Sequence, residues 1–339
     1  MGSGRHRPQC TLTAVQHEPS PTSLRLSVVI VVGSLRHRAQ RTLKAILSQD
    51  ALDQLEVIIV DVGNDSASWG RVEPPVRVHR MSPSTLLSHA RAEAVSIARA
   101  PLVAFLEEHT APEPGWAAEI IAADDGEWAV AGTAIRHGNP GSPQSDASYQ
   151  VSYGLFEPPV SGGEATVLPG HNSVYRRSVL IDLGAALPEL FAIDTVLHEM
   201  LRRAGRRLVM LEAGVISHWN ETTIPAALRG HWWFHRSYGV RRANFLGWSA
   251  IRRLSYVVLA PLIPVYALLL WGRRRHEVGR QVLWSLLRLG PRMLLIHTAS
   301  AVAQAVGLMI GEGPSLARFT DFELSEAARV DTSPAQELH

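Results

Sequence analysis

Residues 107–109 read Glu-Glu-His, directly after the apolar run Leu102–Leu106 and shortly before Pro112, Pro114 and Gly115. The apolar run reads as a buried strand, and the prolines and glycine are expected to forbid both helix and strand beyond it, so the triplet sits on a tight connection. Ligands of open α/β sheets bind beyond the carboxyl ends of the strands. Two carboxylates and an imidazole at such a point can hold a divalent metal, and through it a phosphate. The same three residues also suit a solvated acidic loop, so their neighbours in space decide between the two. Asp61 closes a second apolar run just before Gly63 and Asn64. Arg91 lies in a helical segment, where a plain surface arginine is the commoner case. Gly170-His171-Asn172 precedes a short β-branched stretch. Asp194 stands before an amphipathic segment whose apolar positions Val196, Leu197, Met200 and Leu201 keep helical spacing. An aspartate there serves as a helix N-cap, and a cap facing the ligand end of a sheet can also act as a base.

The elements that would position these residues follow from hydrophobic period. LSVVIVVGS from Leu26 reads as a strand, Gln40–Leu47 as a helix and LEVIIVDVGNDS as a second buried strand, which together imply a right-handed βαβ unit with parallel strands. A short strand over 76–79, a helix over 84–99 and the strand before Glu107 come next. Further on, 116–123 reads as a helix and 127–135 as a strand. Residues 137–163 are rich in Gly, Pro and Ser and read as a loop over a site. A helix begins near Arg177, another follows Asp194 and ends at Gly205, and Arg207–Leu211 resumes the sheet. The first turn is not GxGxxG, and neither GxxxxGK nor GxSxG occurs.

The chain has 339 residues, a formal net charge of +2 and one cysteine, Cys10. Charge so near balance does not point to nucleic acid, and one cysteine excludes an internal disulfide framework and a cysteine-based zinc site. Residues 1–25 are polar, Pro/Ser-rich and without an apolar core, so they read as a disordered lead-in rather than a secretory signal. The C-terminal third changes character. Trp232, Trp233 and Trp248 alternate with Arg241, Arg242, Arg252 and Arg253, a mixture suited to a membrane interface. Leu254–Trp271 carries no charge and is about long enough to cross a bilayer, with Pro261 and Pro264 expected to kink it. Met293–Gly311 is a second apolar run. The loop between them is as basic as the flank before them, which conflicts with two spanning helices under the positive-inside rule. A re-entrant hairpin or helices lying in the interface remove the conflict, with the preceding domain on the cytoplasmic face of the cell (inner) membrane. The polar tail after Phe319 is expected to be mobile.

The order of these pieces resembles the family-2 glycosyltransferases of membrane-associated bacterial type. SVVIVVGSLRHRAQRTLKAILSQ is similar to that family's opening strand and helix, and EVIIVDVGNDS to its nucleotide-binding strand. ARAEAVSIARAPLVAFLEEHTAPEPGW resembles its ARN helix and DxD segment, PGHNSVYRRSVL its acceptor-side strand, and IDTVLHEMLRRAGRR its Glu-Asp helix. The resemblance implies an α/β GT-A (nucleotide-diphospho-sugar transferase) fold, a Rossmann-like mixed sheet over residues 26–245, with membrane-associated helices over 246–318 and a tail over 319–339.

It also implies roles. Asp61 and Arg91 would face the nucleotide, as would Glu107 and Glu108 of the DxD segment, His171 and Asn172 beside it, and Arg236 in a degenerate QxxRW-like stretch. Glu107, His109 and His218 would hold Mn²⁺ or Mg²⁺, and an imidazole favours Mn²⁺. Asp194 would be the general base of an inverting transfer from a nucleotide-sugar donor to a lipid-linked or cell-envelope glycan acceptor. Val62, Ala92, the Glu-Glu-His triplet and Ile193 depart from the family's residues. These departures keep open a degenerate relative that binds nucleotide sugar or serves an assembly. A purely structural membrane anchor would leave the polar residues unexplained.

Overall fold

The computed structural model describes residues 24–63, 69, 72–274 and 280–325. Nearly all of the expected lead-in, and the tail beyond residue 325, lie outside the described residues. Strands β1 (Leu26–Val32) and β2 (Leu55–Asp61) are buried at every position, as unbroken Val/Ile/Leu runs must be when both faces of a parallel sheet are covered. Helix α1 (Arg36–Leu47) crosses between them, and β3 (Val76–Arg80) extends the sheet beyond β2. Helix α2 (Leu87–Ile97) leads into β4 (Leu102–Leu106), which pairs with β1 on its other side. The chain therefore reverses its direction of strand addition between β1 and β4, and an open α/β sheet opens a crevice at such a switch point.

The triplet after β4 runs into β5 (Thr110–Pro112), a short strand antiparallel to β9, where Pro112 was expected to exclude any strand. The strand lies at the end of the sheet, where proline's missing donor costs no ladder bond. Helix α3 (Trp116–Ala122) and β6 (Trp128–His137) match the expected pair. The expected loop over 137–163 instead contains α4 (Pro143–Ser152). Pro143 at its first position was the overlooked signal, since proline is pre-organised for helix starts. Strands β7 (Gly163–Glu164) and β8 (Ser173–Arg176) and helices α5 (Arg177–Asp182), α6 (Leu187–Leu190) and α7 (Asp194–Arg203) follow. Strand β9 then runs the full length Arg207–His218, seven residues beyond the expected end, and carries His218 to the site. The mixed sheet has the order β3-β2-β1-β4-β8-β6-β9-β5, with β7 on β9.

The C-terminal helices are α8 (Ile224–Phe245), α9 (Ala250–Leu259), α10 (Ile263–Arg274), α11 (Arg280–Ile310) and α12 (Ser315–Ser325). Pro261 and Pro264 fall at the break between α9 and α10, where a 3₁₀ turn spans Ala260–Leu262. Two stretches are long and apolar enough to cross a membrane, Ala250–Arg273 and Trp284–Ile310. The second is pinned to the rest of the chain along its length. Arg288 donates to Asp146 of α4 at 2.9 Å, Tyr256 to Gln304 at 2.6 Å, and Arg241 of α8 to Glu312 at 3.0 Å. Residues 319–325, expected in a mobile tail, form the second half of α12 and pack on α8. Phe322 sits so tightly against Gly230 that a Cβ there would lie 2.6 Å from its ring.

Candidate active site

Glu107 lies one residue beyond β4, at the carboxyl edge of the sheet. Its Oε2 accepts from Asn172 at 3.2 Å and from the Tyr153 hydroxyl at 3.4 Å, and meets His218 Nε2 at 3.1 Å. His109 Nε2 is 3.7 Å from the same oxygen and 3.2 Å from His218 Nε2. One ligand atom from each of Glu107, His109 and His218 lies within 4.8 Å of the others. Burial works against a charge on Glu107, but His109, His171 and His218 outweigh it and hold the carboxyl well below its usual range.

The proton positions around His218 follow from its neighbours. The Asn220 amide nitrogen donates to the His218 carbonyl at 3.0 Å, so the Asn220 oxygen is what faces His218 Nδ1, at 3.0 Å. That places one imidazole proton on Nδ1 and leaves Nε2, which faces Glu107 and His109, to carry a second proton or to give its lone pair to a cation. A lone pair facing a carboxylate is favourable only with a proton or a cation between them. A carboxylate, two imidazole nitrogens and an orienting amide behind one of them are the donor set and outer shell of a divalent metal site. The residues present thus fit the metal expected from the sequence. Glu108 is not part of this set. Its carboxylate pairs with Arg38 at 3.1 Å, with both side chains 2% exposed.

A second group adjoins the first. Asp194 is the first residue of α7, and no side-chain bond caps that helix, so the N-cap reading does not hold. Its carboxylate instead takes Arg91 Nη1 at 3.0 Å and stands 3.5 Å from His171 Nδ1. Arg91 also donates to His171 Nδ1 at 2.7 Å, and that nitrogen is 4.0 Å from Glu107. Asp194, Arg91, His171, Glu107, Asn172, His109 and His218 therefore form one connected polar cluster drawn from α2, α7, β9 and the segments after β4 and before β8.

Asp61 ends β2 on the same edge of the sheet, two strands from β4. Its carboxylate is already engaged by Arg36 at 3.0 Å, Trp69 Nε1 at 2.8 Å and the Gly63 amide at 2.9 Å. It orients Arg36 rather than presenting an open acceptor. Arg236 donates to the Gly311 carbonyl at 3.0 Å, just past the end of α11.

Sequence reasoning missed Tyr153, Asn220, Arg36 and Arg38, which come from a segment taken for loop, from beyond β9 and from the first helical turn. It also missed α12. The crevice beside β1 and β4 is lined by Arg91, Glu107, Glu108, His109, Glu323 and Leu324 among others, and its free volume is about 20 Å³. Arg38 donates to the Glu323 carbonyl at 3.1 Å, and the Leu87 amide to Thr320 at 3.2 Å. A Cβ at Gly33 would overlap the Leu324 carbonyl. The end of α12 thus occupies the switch-point crevice.

Residues 27–184 match the family model described as Glycosyl transferase family 2. Those residues are similar to a family 2 glycosyl transferase domain. A mannosyltransferase from Pyrobaculum calidifontis, solved with GDP-Man and Mn²⁺, superposes on the chain with a TM-score of 0.54 at 17% identity, covering 86% of this chain and 89% of its own. That likeness shows the transferase fold. S. aureus TarS 1–349 aligns at 15% identity with a TM-score of 0.46 over 88% of this chain and 90% of its own. GalNAc-T7, solved with UDP, GalNAc and Mn²⁺, aligns at 16% identity with a TM-score of 0.45 over 57% of this chain. The chain spans 43% of the length of GalNAc-T7. No curated protein matches it by sequence.

Proposed function

We propose that the chain is an inverting glycosyltransferase that moves a sugar from a nucleotide-sugar donor to a hydroxyl of a lipid-linked or cell-envelope glycan, working from the cytoplasmic face of the membrane. The observation that carries this reading is the single polar cluster at the switch-point crevice, with Asp194 and Glu107 both within 4.0 Å of His171. The donor diphosphate sits in the crevice, near Arg91 and the Glu107 set. Glu107, His109 and His218 hold a divalent cation, Mn²⁺ in preference to Mg²⁺ because two of the donors are imidazoles. When bound, that cation offsets the negative charge left on the nucleoside diphosphate.

Asp194 takes the proton of the acceptor hydroxyl. The hydroxyl oxygen forms its bond to the anomeric carbon as the bond to the diphosphate oxygen breaks, and that electron pair leaves with the diphosphate. Arg91 fixes the direction of the Asp194 carboxylate through the 3.0 Å contact, and His171 keeps it in line with Glu107. The catalytic unit corresponds to residues 26–245, with 246–318 as the membrane-associated part.

The experiment is transfer by the purified full chain in detergent, with nucleotide sugars first screened by thermal shift with and without Mn²⁺. Asp194→Asn is expected to bind the donor and transfer nothing. Turnover by that variant, compared at equal folded fraction, removes Asp194 from the role. A second reading, a nucleotide-sugar-binding or assembly subunit without turnover, draws on the seat of α12 in the crevice. Metal-dependent nucleotide binding with no transfer to any acceptor selects it.

A further inference from the structure

A cavity of about 490 Å³ lies between α7, the segment before β8, the C-terminal part of α8 and the start of α9. The chemistry described so far makes no use of it. Three independent features of its lining point to one kind of ligand. The first is an excess of positive charge, since the one carboxylate in the lining, Glu199, is taken by Arg202 and Arg203. Arg242 and Arg252 both line the cavity and both lie over the Trp248 ring, at 5.3 Å and 4.7 Å from its centroid. Among the described residues no carboxylate pairs with either guanidinium. Arginines held by an aromatic ring, with their N–H forks unspent, suit a phosphate.

The second feature is His198, on the cavity wall and only 3% exposed. Its Nε2 meets the Tyr175 hydroxyl at 2.8 Å, and its Nδ1 has no hydrogen-bond partner. Burial drives the imidazole down to about 4, against the pull of Asp194, so the ring is neutral. Burial also pushes the Tyr175 hydroxyl well above its ordinary value. With Tyr175 donating to Nε2, the ring proton sits on Nδ1. That N–H is sealed within the cavity wall, and a rotation of the ring would bring it to a ligand acceptor and relieve the desolvation cost of an unpaired polar atom.

The third is position. Thr195 and Val196, the two residues after Asp194, line the cavity. On the other side Arg252 opens α9, whose Ile251, Leu254 and Val258 are 78%, 64% and 67% exposed. With Leu262, Val265 and Leu269, also exposed, they recur every three or four residues and form one apolar stripe along α9 and α10. An anion-binding cradle thus lies between a carboxylate base and an uncovered apolar track.

We propose that this cavity binds the phosphate of a lipid-anchored acceptor, through Arg242, Arg252 and His198, with the lipid chain lying along the α9–α10 stripe. The role as acceptor rests on the transferase reading above, whereas the binding does not. The test is calorimetric titration of the full chain, in a non-ionic detergent below saturation, with decyl phosphate, decanol and inorganic phosphate. Decyl phosphate is expected to bind at least ten-fold more tightly than either of the others. Arg242→Gln and Arg252→Gln together are expected to weaken it ten-fold or more while leaving nucleotide binding and the melting temperature unchanged. Arg252→Ala alone, at an exposed position, gives the same direction should the double variant fold poorly. Equal affinity for decanol shows that the cavity reads only the chain, and equal affinity for inorganic phosphate shows that it reads only the anion; either result overturns the proposal. So does undiminished binding by both variants. If decyl phosphate binds as expected but no nucleotide sugar is ever turned over, the transferase reading fails and the phosphate site stands.

Discussion

Arg91 and Asp194 are each 3% exposed and pair at 3.0 Å, so the base of the proposed reaction also belongs to a buried ion pair. Removing one partner of such a pair leaves the other charged and unsolvated, which costs about 3–5 kcal/mol. Asp194→Asn is therefore expected to lose stability as well as turnover, and Arg91→Gln to lose a similar amount. Urea unfolding of both variants measures this, and an unchanged midpoint would show that the pair is not formed in solution. The triplet after β4 makes a separate claim. If Glu107, His109 and His218 hold a metal, Mn²⁺ at 100 times its dissociation constant stabilises the native state by about 2.7 kcal/mol. The melting temperature is expected to rise with Mn²⁺, to fall on chelation, and to ignore the metal in His218→Ala. A wild-type melting curve identical with Mn²⁺ and with chelator rejects the site. Asp61 shows the limit of reading single residues: its type and place at a strand end were legible, but its saturation depends on how the following loop folds back to bring the Gly63 amide and Trp69 and on Arg36 reaching it from α1.

Among the elements, α12 has the largest consequence. On the proposed reading its last turn and a nucleotide would compete for the same crevice, because the free volume there is about that of one water. Phe322, 3% exposed and pressed against Gly230, anchors the helix on α8. Phe322→Ala removes a buried aromatic ring worth about 3–5 kcal/mol and should release α12. The expected result is tighter binding of the nucleoside diphosphate by calorimetry and new protease cleavage within residues 315–325. Unchanged affinity with α12 demonstrably cut would show that the donor reaches its site with the helix in place. Helices α1, α2, α3 and α7 and the strands before Glu107 and Asp61 were legible from period alone, since each buries a face whose spacing survives in the sequence. Helix α4 was not, because Gly, Pro and Ser dominate its surroundings and its buried side includes Ser145 and Ser148, both 0% exposed. Hydrophobic period does not register a helix that buries hydroxyls.

At the scale of the whole molecule, α11 bears on how the chain would meet a membrane, as proposed. It is about 46 Å long at 1.5 Å per residue, yet Arg288 near one end and Glu312 just past the other both bond to the catalytic part. A helix tied at both ends to one domain lies alongside it, which favours a chain resting in the membrane interface over one that spans. The exposed stripe on α9 and α10 then supplies the buried apolar area, with the flanking arginines at the headgroups. Flotation with vesicles containing an anionic phospholipid is expected to carry the wild-type chain, and Leu254→Glu with Val258→Glu to abolish it without lowering the melting temperature. Alkaline carbonate should strip the wild type from cell membranes; retention in the pellet would favour spanning.

The amino-acid sequence alone determined the parallel βαβ start, the place of Glu107 and His109 beyond a strand, Asp194 at a helix start and the membrane-like C-terminal third. All of these are local: a period of 2 or 3.6, a proline, or a polar residue closing an apolar run carries them. Tertiary structure alone decided which polar groups meet. Arg91 turns to Asp194 across 103 residues, His218 reaches Glu107 across 111, and Glu323 lies over Arg38 from 285 residues away. The resemblance gave Arg236 and Arg91 the same nucleotide-facing role, and only packing sends one to a helix end and the other to a carboxylate. Such pairings depend on how distant elements are layered, and the layering comes from burial summed over the whole core rather than from any stretch that can be read on its own.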